Sequence, residues 1–204
     1  MDSTTLLTTT RAVRRRLDLE RPVARALLEE CVEVAVQAPA GGNRHRYRFV
    51  LVDDTAQRAA LGAIYRRAFA AYLERPEAAG GRLLDSARHL AEHLHDVPAI
   101  VIPCMEGRVE ELASARAQSG YWGSVYPAVW SFMLAARARG LGTALTTMHL
   151  LYERECAELL GIPSDEVTQV CLLPVAHTIG DEFRRAPRDH RRFLAWNSWT
   201  PARG

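Results

Sequence analysis

The strongest constraint on this chain is a helix with no polar side. Residues 119–139 set Tyr121, Trp122, Val125, Tyr126, Val129, Trp130, Phe132, Met133 and Leu134 all round a helical wheel. Such a helix must be covered on every side, by its own chain or by a partner. Pro127 removes the hydrogen bond to the Gly123 carbonyl and is expected to kink it. The uncharged run 117–136 also holds Gln118, Ser119, Gly120, Ser124, Pro127 and Ser131, too polar for a membrane span. The helix therefore reads as the centre of a soluble domain, and 204 residues make one such domain. Gly140-Leu141-Gly142-Thr143 ends it in a tight turn.

The other elements fall around it. A short helix is expected over 3–10. After Pro22 comes an amphipathic helix whose stripe is Val23, Leu27, Cys31, Val34, Ala35 and Ala38, stopping at Pro39. A strand spans 47–52, and Asp53-Asp54-Thr55 caps a helix carrying Leu61, Ile64, Tyr65, Ala68 and Tyr72. A Pro/Gly break at 74–81 precedes a helix over 83–95. The whole of 56–96 is a helical excursion, a candidate cover for a site. Residues 99–104 form an apolar run expected to be a strand buried on both faces. Strands at 144–147 and 167–175 flank a helix at 153–160 closed by Gly161. The order α-α-β-α-α-β-α-β-α-β predicts one mixed sandwich of helices and strands over 1–204. No G-x-G-x-x-G marks a Rossmann domain.

Charge is distributed unevenly. All 26 basic residues are arginine, which excludes lysine chemistry, and the net charge is only +2. The first 25 residues carry six arginines against three acids, and the last 24 do the same, leaving an acidic middle. Arg11, Arg14 and Arg15, with Arg184, Arg185 or Arg188 from the tail, are candidates to close on one phosphate. A nucleic-acid site would need a broader basic surface. The elbow Gln37-Ala38-Pro39-Ala40-Gly41-Gly42-Asn43 joins helix to strand, lets the backbone approach a ligand closely and presents an amide.

Other constellations carry less. His89, His93 and His95 lack a zincin glutamate and read as surface histidines. Cys31, Cys104, Cys156 and Cys171 show no C-x-x-C spacing, and Met1 to Leu7 show no export signal, so four buried thiols in a cytoplasmic protein are expected. No G-x-S-x-G and no activated cysteine is present. A phosphate site without acid, base or nucleophile points to a bound cofactor that brings the chemistry.

Four segments, in order and over nearly the whole chain, resemble the FMN-dependent nitroreductase family of NAD(P)H oxidase-like flavoproteins. Thr10-Arg11-Ala12-Val13-Arg14-Arg15 is similar to its N-terminal phosphate motif, and the stretch 37–49 to its Asn-containing turn. Ser124-Val125-Tyr126-Pro127-Ala128 with Gly140-Leu141-Gly142-Thr143 resembles its central helix, and Leu173-Pro174-Val175-Ala176 with Phe183 and Arg188 its last strand and basic tail. The resemblance implies an α+β fold, a three-layer α/β/α sandwich with a mixed, mostly antiparallel sheet, assembled as an intertwined homodimer with FMN at the interface. It implies that Arg11, Ala12, Arg14, Arg15 and Arg188 surround the FMN phosphate. Asn43 and His45 would meet the flavin ring, Leu145, Thr146 and Thr147 would line its other side, and Ser124 and Tyr126 would reach the substrate pocket. It implies ping-pong hydride transfer from NADH or NADPH to a small electron-poor acceptor, with no obligatory catalytic side chain, no nucleic acid and no membrane. A flavin-binding or storage protein of the same fold, and a cofactor-free dimeric interaction protein, are the alternatives. The chain departs from the family pattern at Thr10, Ala12, His45-Arg46-Tyr47, His177 and Pro187.

Overall fold

A computed structural model describes residues 1–75, 80–180 and 182–199. The helices are α1 (Ser3–Thr9), α2 (Arg25–Ala35), α3 (Thr55–Leu73), α4 (Gly81–His93), α5 (Ala115–Ala138) and α6 (Glu153–Leu160). The strands are β1 (Tyr47–Val52), β2 (Ala99–Glu106), β3 (Leu141–Thr143), β4 (Val167–Gln169) and β5 (Leu173–His177). Residues 76–79, the middle of the expected Pro/Gly break, lie outside the described residues.

Strand β2 sets the architecture because both its faces are apolar. Ala99, Val101 and Met105 enter one core with Val125, Val129, Phe132 and Ala136 of α5 and Leu28 and Cys31 of α2. Ile100, Ile102 and Cys104 point the opposite way, as alternation along a strand demands, and meet Leu61, Tyr65 and Phe69 of α3, Leu90 of α4 and Cys156 of α6. The result is three layers: α2 and α5, the sheet, then α3, α4 and α6. The sheet runs β1-β2-β5-β3, with β4 also on β2, and every ladder among the described residues is antiparallel. Strand β1 is an edge.

Three local expectations are corrected. The single strand at 167–175 is two. Cys104 faces Gln169 while Val101 faces Leu173, so residues 170–172 oppose only Ile102 and Pro103, a one-residue bulge. The strand expected at 144–147 lies instead at Leu141–Thr143, because Gly140, at φ 77°, takes the left-handed turn that ends α5; of 144–147 only Thr146 makes a bridge. The stripe of α2 is rotated: Leu28 is buried and Val34 is exposed.

Helix α5 is capped by Ser114, whose hydroxyl accepts from the Ala117 N–H at 3.2 Å, and is one helix through Pro127. Gly123, whose carbonyl receives no N–H from Pro127, is exposed. Its apolar circumference is only partly covered: Tyr126 and Trp130 keep 36% and 41% exposure. Helix α3 is a core element, since Leu61, Tyr65, Ala68 and Phe69 are buried. In the first turn of α4, Leu83 is exposed.

Candidate active site

The N-terminal arginines are placed by backbone pairing. The Val13 N–H donates to the Thr143 carbonyl at 2.8 Å, laying 11–16 beside β3, while Val13 and Leu17 are buried as anchors. Gly142 makes this approach possible: a Cβ there would meet Thr178, Leu17 and Val13 side-chain atoms at 2.9–3.0 Å. Consequently Arg11, Ala12, Arg14 and Arg15 line one cleft of about 430 Å³, with Ser86 of α4 and Arg184 of the tail. Arg16 also borders it but is committed elsewhere: its Nε and Nη1 donate to the Ile179 and Glu182 carbonyls, both at 2.8 Å. Of the three candidate arginines of the tail, Arg184 reaches the cleft. Arg188 is exposed and outside its lining.

The loop after β3 is tied to the same region. Thr146 pairs through its backbone with Leu172, and its hydroxyl lies 2.9 Å from the Tyr65 hydroxyl. Burial raises the Tyr65 pKa, and the Thr146 hydrogen bond and then the charge of Arg14 partly offset that. Leu145 and Thr147 are exposed on either side. Tyr65 was not legible as a site residue because its helical spacing marks it only as core.

The elbow is a separate feature on α5. Gly42 and Asn43 are successive left-handed residues, at φ 61° and 53°, in a 3-10 turn over Gly41–Asn43. Gly41 donates to the Ser124 hydroxyl at 3.0 Å, and that hydroxyl donates to the Gly120 carbonyl at 2.7 Å. Ser124, expected at the substrate, is buried and used to dock the elbow on α5. The Asn43 side-chain oxygen lies 3.3 Å from His45 Nε2, and His45 Nδ1 lies 2.9 Å from the Tyr47 hydroxyl. Asn43 itself is exposed. Within one chain the arginine cleft contains neither Asn43 nor Ser124.

The remaining nucleophile and metal candidates are quiet. All four cysteines are free and buried, and burial pushes Cys104, Cys156 and Cys171 up to about 12 and Cys31 to about 11. His93 and His95 both face Asp96, at 3.2 and 3.3 Å, and no metal-holding group is found among the described residues.

A sequence profile described as "Nitroreductase family" matches residues 7–177. The chain belongs to the nitroreductase family. Solved structures of similar fold include iodotyrosine deiodinase bound to FMN and 3-iodo-L-tyrosine, at 21% identity and TM-score 0.68, covering 97% of this chain and 98% of that one. A nitroreductase-like family protein from Bacillus cereus is 18% identical at TM-score 0.70, covering 96% of each chain. A BluB-like flavoprotein from Clostridium difficile 630 is 13% identical at TM-score 0.72, covering 97% of this chain and all of that one. No curated protein matches the sequence significantly. No helix among the described residues is long and apolar enough to cross a membrane.

Proposed function

We propose that this chain is an FMN-dependent oxidoreductase of the cytoplasm, working as a homodimer. The observation that carries the reading is the convergence of Arg11, Arg14, Arg15 and Arg184 on one cleft. A phosphate monoester carries about −1.5 to −2 charges, and planar guanidinium forks satisfy it through paired hydrogen bonds. The cleft holds no lysine, and its one carboxylate, Glu182, belongs to a residue whose backbone carbonyl is bound by Arg16. The residues present therefore fit the phosphate end of FMN.

The chemistry FMN supplies when bound is hydride relay, from NADH or NADPH to an electron-poor acceptor such as a nitroaromatic, a quinone or an enone. The chain's own residues bind and orient. The arginines fix the phosphate, and Leu145, Thr146 and Thr147 lie beyond β3 to flank a planar ring. Asn43 offers amide donors to the polar ring edge, where preorganised hydrogen bonds stabilise negative charge. Because Asn43 lies outside the arginine cleft of its own chain, the elbow on this reading serves the cleft of a second copy. Tyr126 and Trp130 supply the apolar contact between copies.

Reconstitution with FMN followed by anaerobic mixing with NADH or NADPH tests the reading. Rapid bleaching of the flavin band with one of them is expected. Bound FMN that neither nucleotide reduces would overturn the oxidoreductase assignment.

A further inference from the structure

We propose that Phe183 is the latch that carries Arg184 into the anion cleft; the inference rests on the FMN reading above. The tail leaves β5 at His177 and must turn back to reach residues 11–15. Three observations show what turns it. The Ile179 N–H donates to the Arg16 carbonyl at 2.8 Å, pairing the start of the tail with the N-terminal segment. The Arg16 side chain then holds the Ile179 and Glu182 carbonyls. Finally, the Phe183 ring lies against two guanidinium groups, with Arg16 Cζ 4.3 Å and Arg137 Cζ 4.2 Å from its centroid. Arg137 belongs to α5 and is itself buried, so the ring is fixed to the rigid centre of the fold rather than to another loop.

Arg184 follows directly. With Phe183 seated, the next residue lines the cleft beside Arg11, Arg14 and Arg15. Beyond it Arg185, Arg188, Arg191 and Arg192 are all exposed, and none of them lines the cleft. The tail is rich in arginine, yet position relative to the one aromatic that stacks decides which arginine serves. A cation over an aromatic face is held by the ring quadrupole and prefers a planar guanidinium. Phe183 also borders the cleft, but its apolar ring offers a phosphate no hydrogen bond, so it is a positioning residue that acts on the anion through Arg184.

The test compares FMN with riboflavin, which lacks the phosphate, by fluorescence titration of cofactor-free protein. The variants are Phe183→Leu, Phe183→Trp, Arg184→Ala and the Phe183→Leu/Arg184→Ala double. The latch predicts that Phe183→Leu weakens FMN binding about tenfold or more, as loss of one charge-assisted contact does. Riboflavin binding should change less than about twofold by the same argument, and Phe183→Trp, which keeps an aromatic face, should restore FMN binding. The double variant should bind FMN no more weakly than Arg184→Ala alone, since one residue acts through the other. Equal weakening of FMN and riboflavin, or additive losses in the double variant, would overturn the latch while leaving the FMN reading intact. A wild type that binds riboflavin as tightly as FMN would remove the phosphate site, and the latch with it.

Discussion

His149 offers a sharp test of the packing described here. It lies after the 144–147 loop, is fully buried, and neither ring nitrogen has a hydrogen-bond partner among the described residues. Burial alone pushes its pKa down to about 3. The unfolded chain titrates near the ordinary histidine value of about 6.5. Between these values the unfolded state binds a proton that the folded state refuses, so stability rises with pH across that window and falls as pH drops below about 6.5. At about pH 7.5 the effect is nearly absent; at about pH 5.5 it costs about 1.4 kcal/mol, one unit of linkage. His149→Leu removes this term at similar volume. Urea unfolding of both cofactor-free proteins, at one protein concentration and both pH values, measures it. The other six histidines and the carboxylates are common to both proteins and cancel in the comparison. Wild type should lose about 1.4 kcal/mol more than the variant on acidification. The variant should be at least as stable at about pH 7.5, because it no longer buries unbonded polar atoms. Parallel losses in the two proteins would refute the buried neutral imidazole.

Three further outcomes are expected. Gly142→Ala forces a Cβ against Thr178, Leu17 and Val13, and should lower stability by about 1–3 kcal/mol in thermal unfolding. Glu153→Gln removes one of the two carboxylates that Arg108 meets, at 2.9 Å, and leaves it Glu110 and the Val167 carbonyl; a loss of about 1.5 kcal/mol by denaturant titration is expected. Trp130→Glu puts a charge on the uncovered face of α5 and should shift a dimer to monomer in sedimentation at unchanged helix content.

Much of the fold could be read from residue pattern because the signals were local. β1 ends on Asp53-Asp54-Thr55, where Asp54 caps α3 by accepting from the Gln57 N–H at 2.9 Å. Gly161, left-handed at φ 65°, closes α6 where expected. The error in the last strand arose where both faces of the element are buried. Val170-Cys171-Leu172-Leu173 is apolar throughout, so no alternation reveals the bulge that splits β4 from β5. Among the candidate site residues, Arg11, Arg14 and Arg15 come together as sequence proximity suggests. That Arg184 lines the cleft and Arg188 does not was hidden, because the six tail arginines look alike in sequence and the Phe183 contact appears only in the fold. Ser124, set at the substrate pocket by its motif, bonds Gly41 and Gly120 through its hydroxyl, a tertiary contact its motif does not announce. Tyr65 and Thr146 lie 81 residues apart, a separation no local pattern bridges.

The most direct measurement of the central claim is the visible absorption spectrum of the purified protein before and after incubation with FMN and gel filtration. Co-elution of a flavin band with the protein, lost when Arg14 and Arg184 are both replaced by alanine, is the predicted result. A protein that stays colourless after incubation, or one that retains FMN equally well without those two arginines, would contradict it.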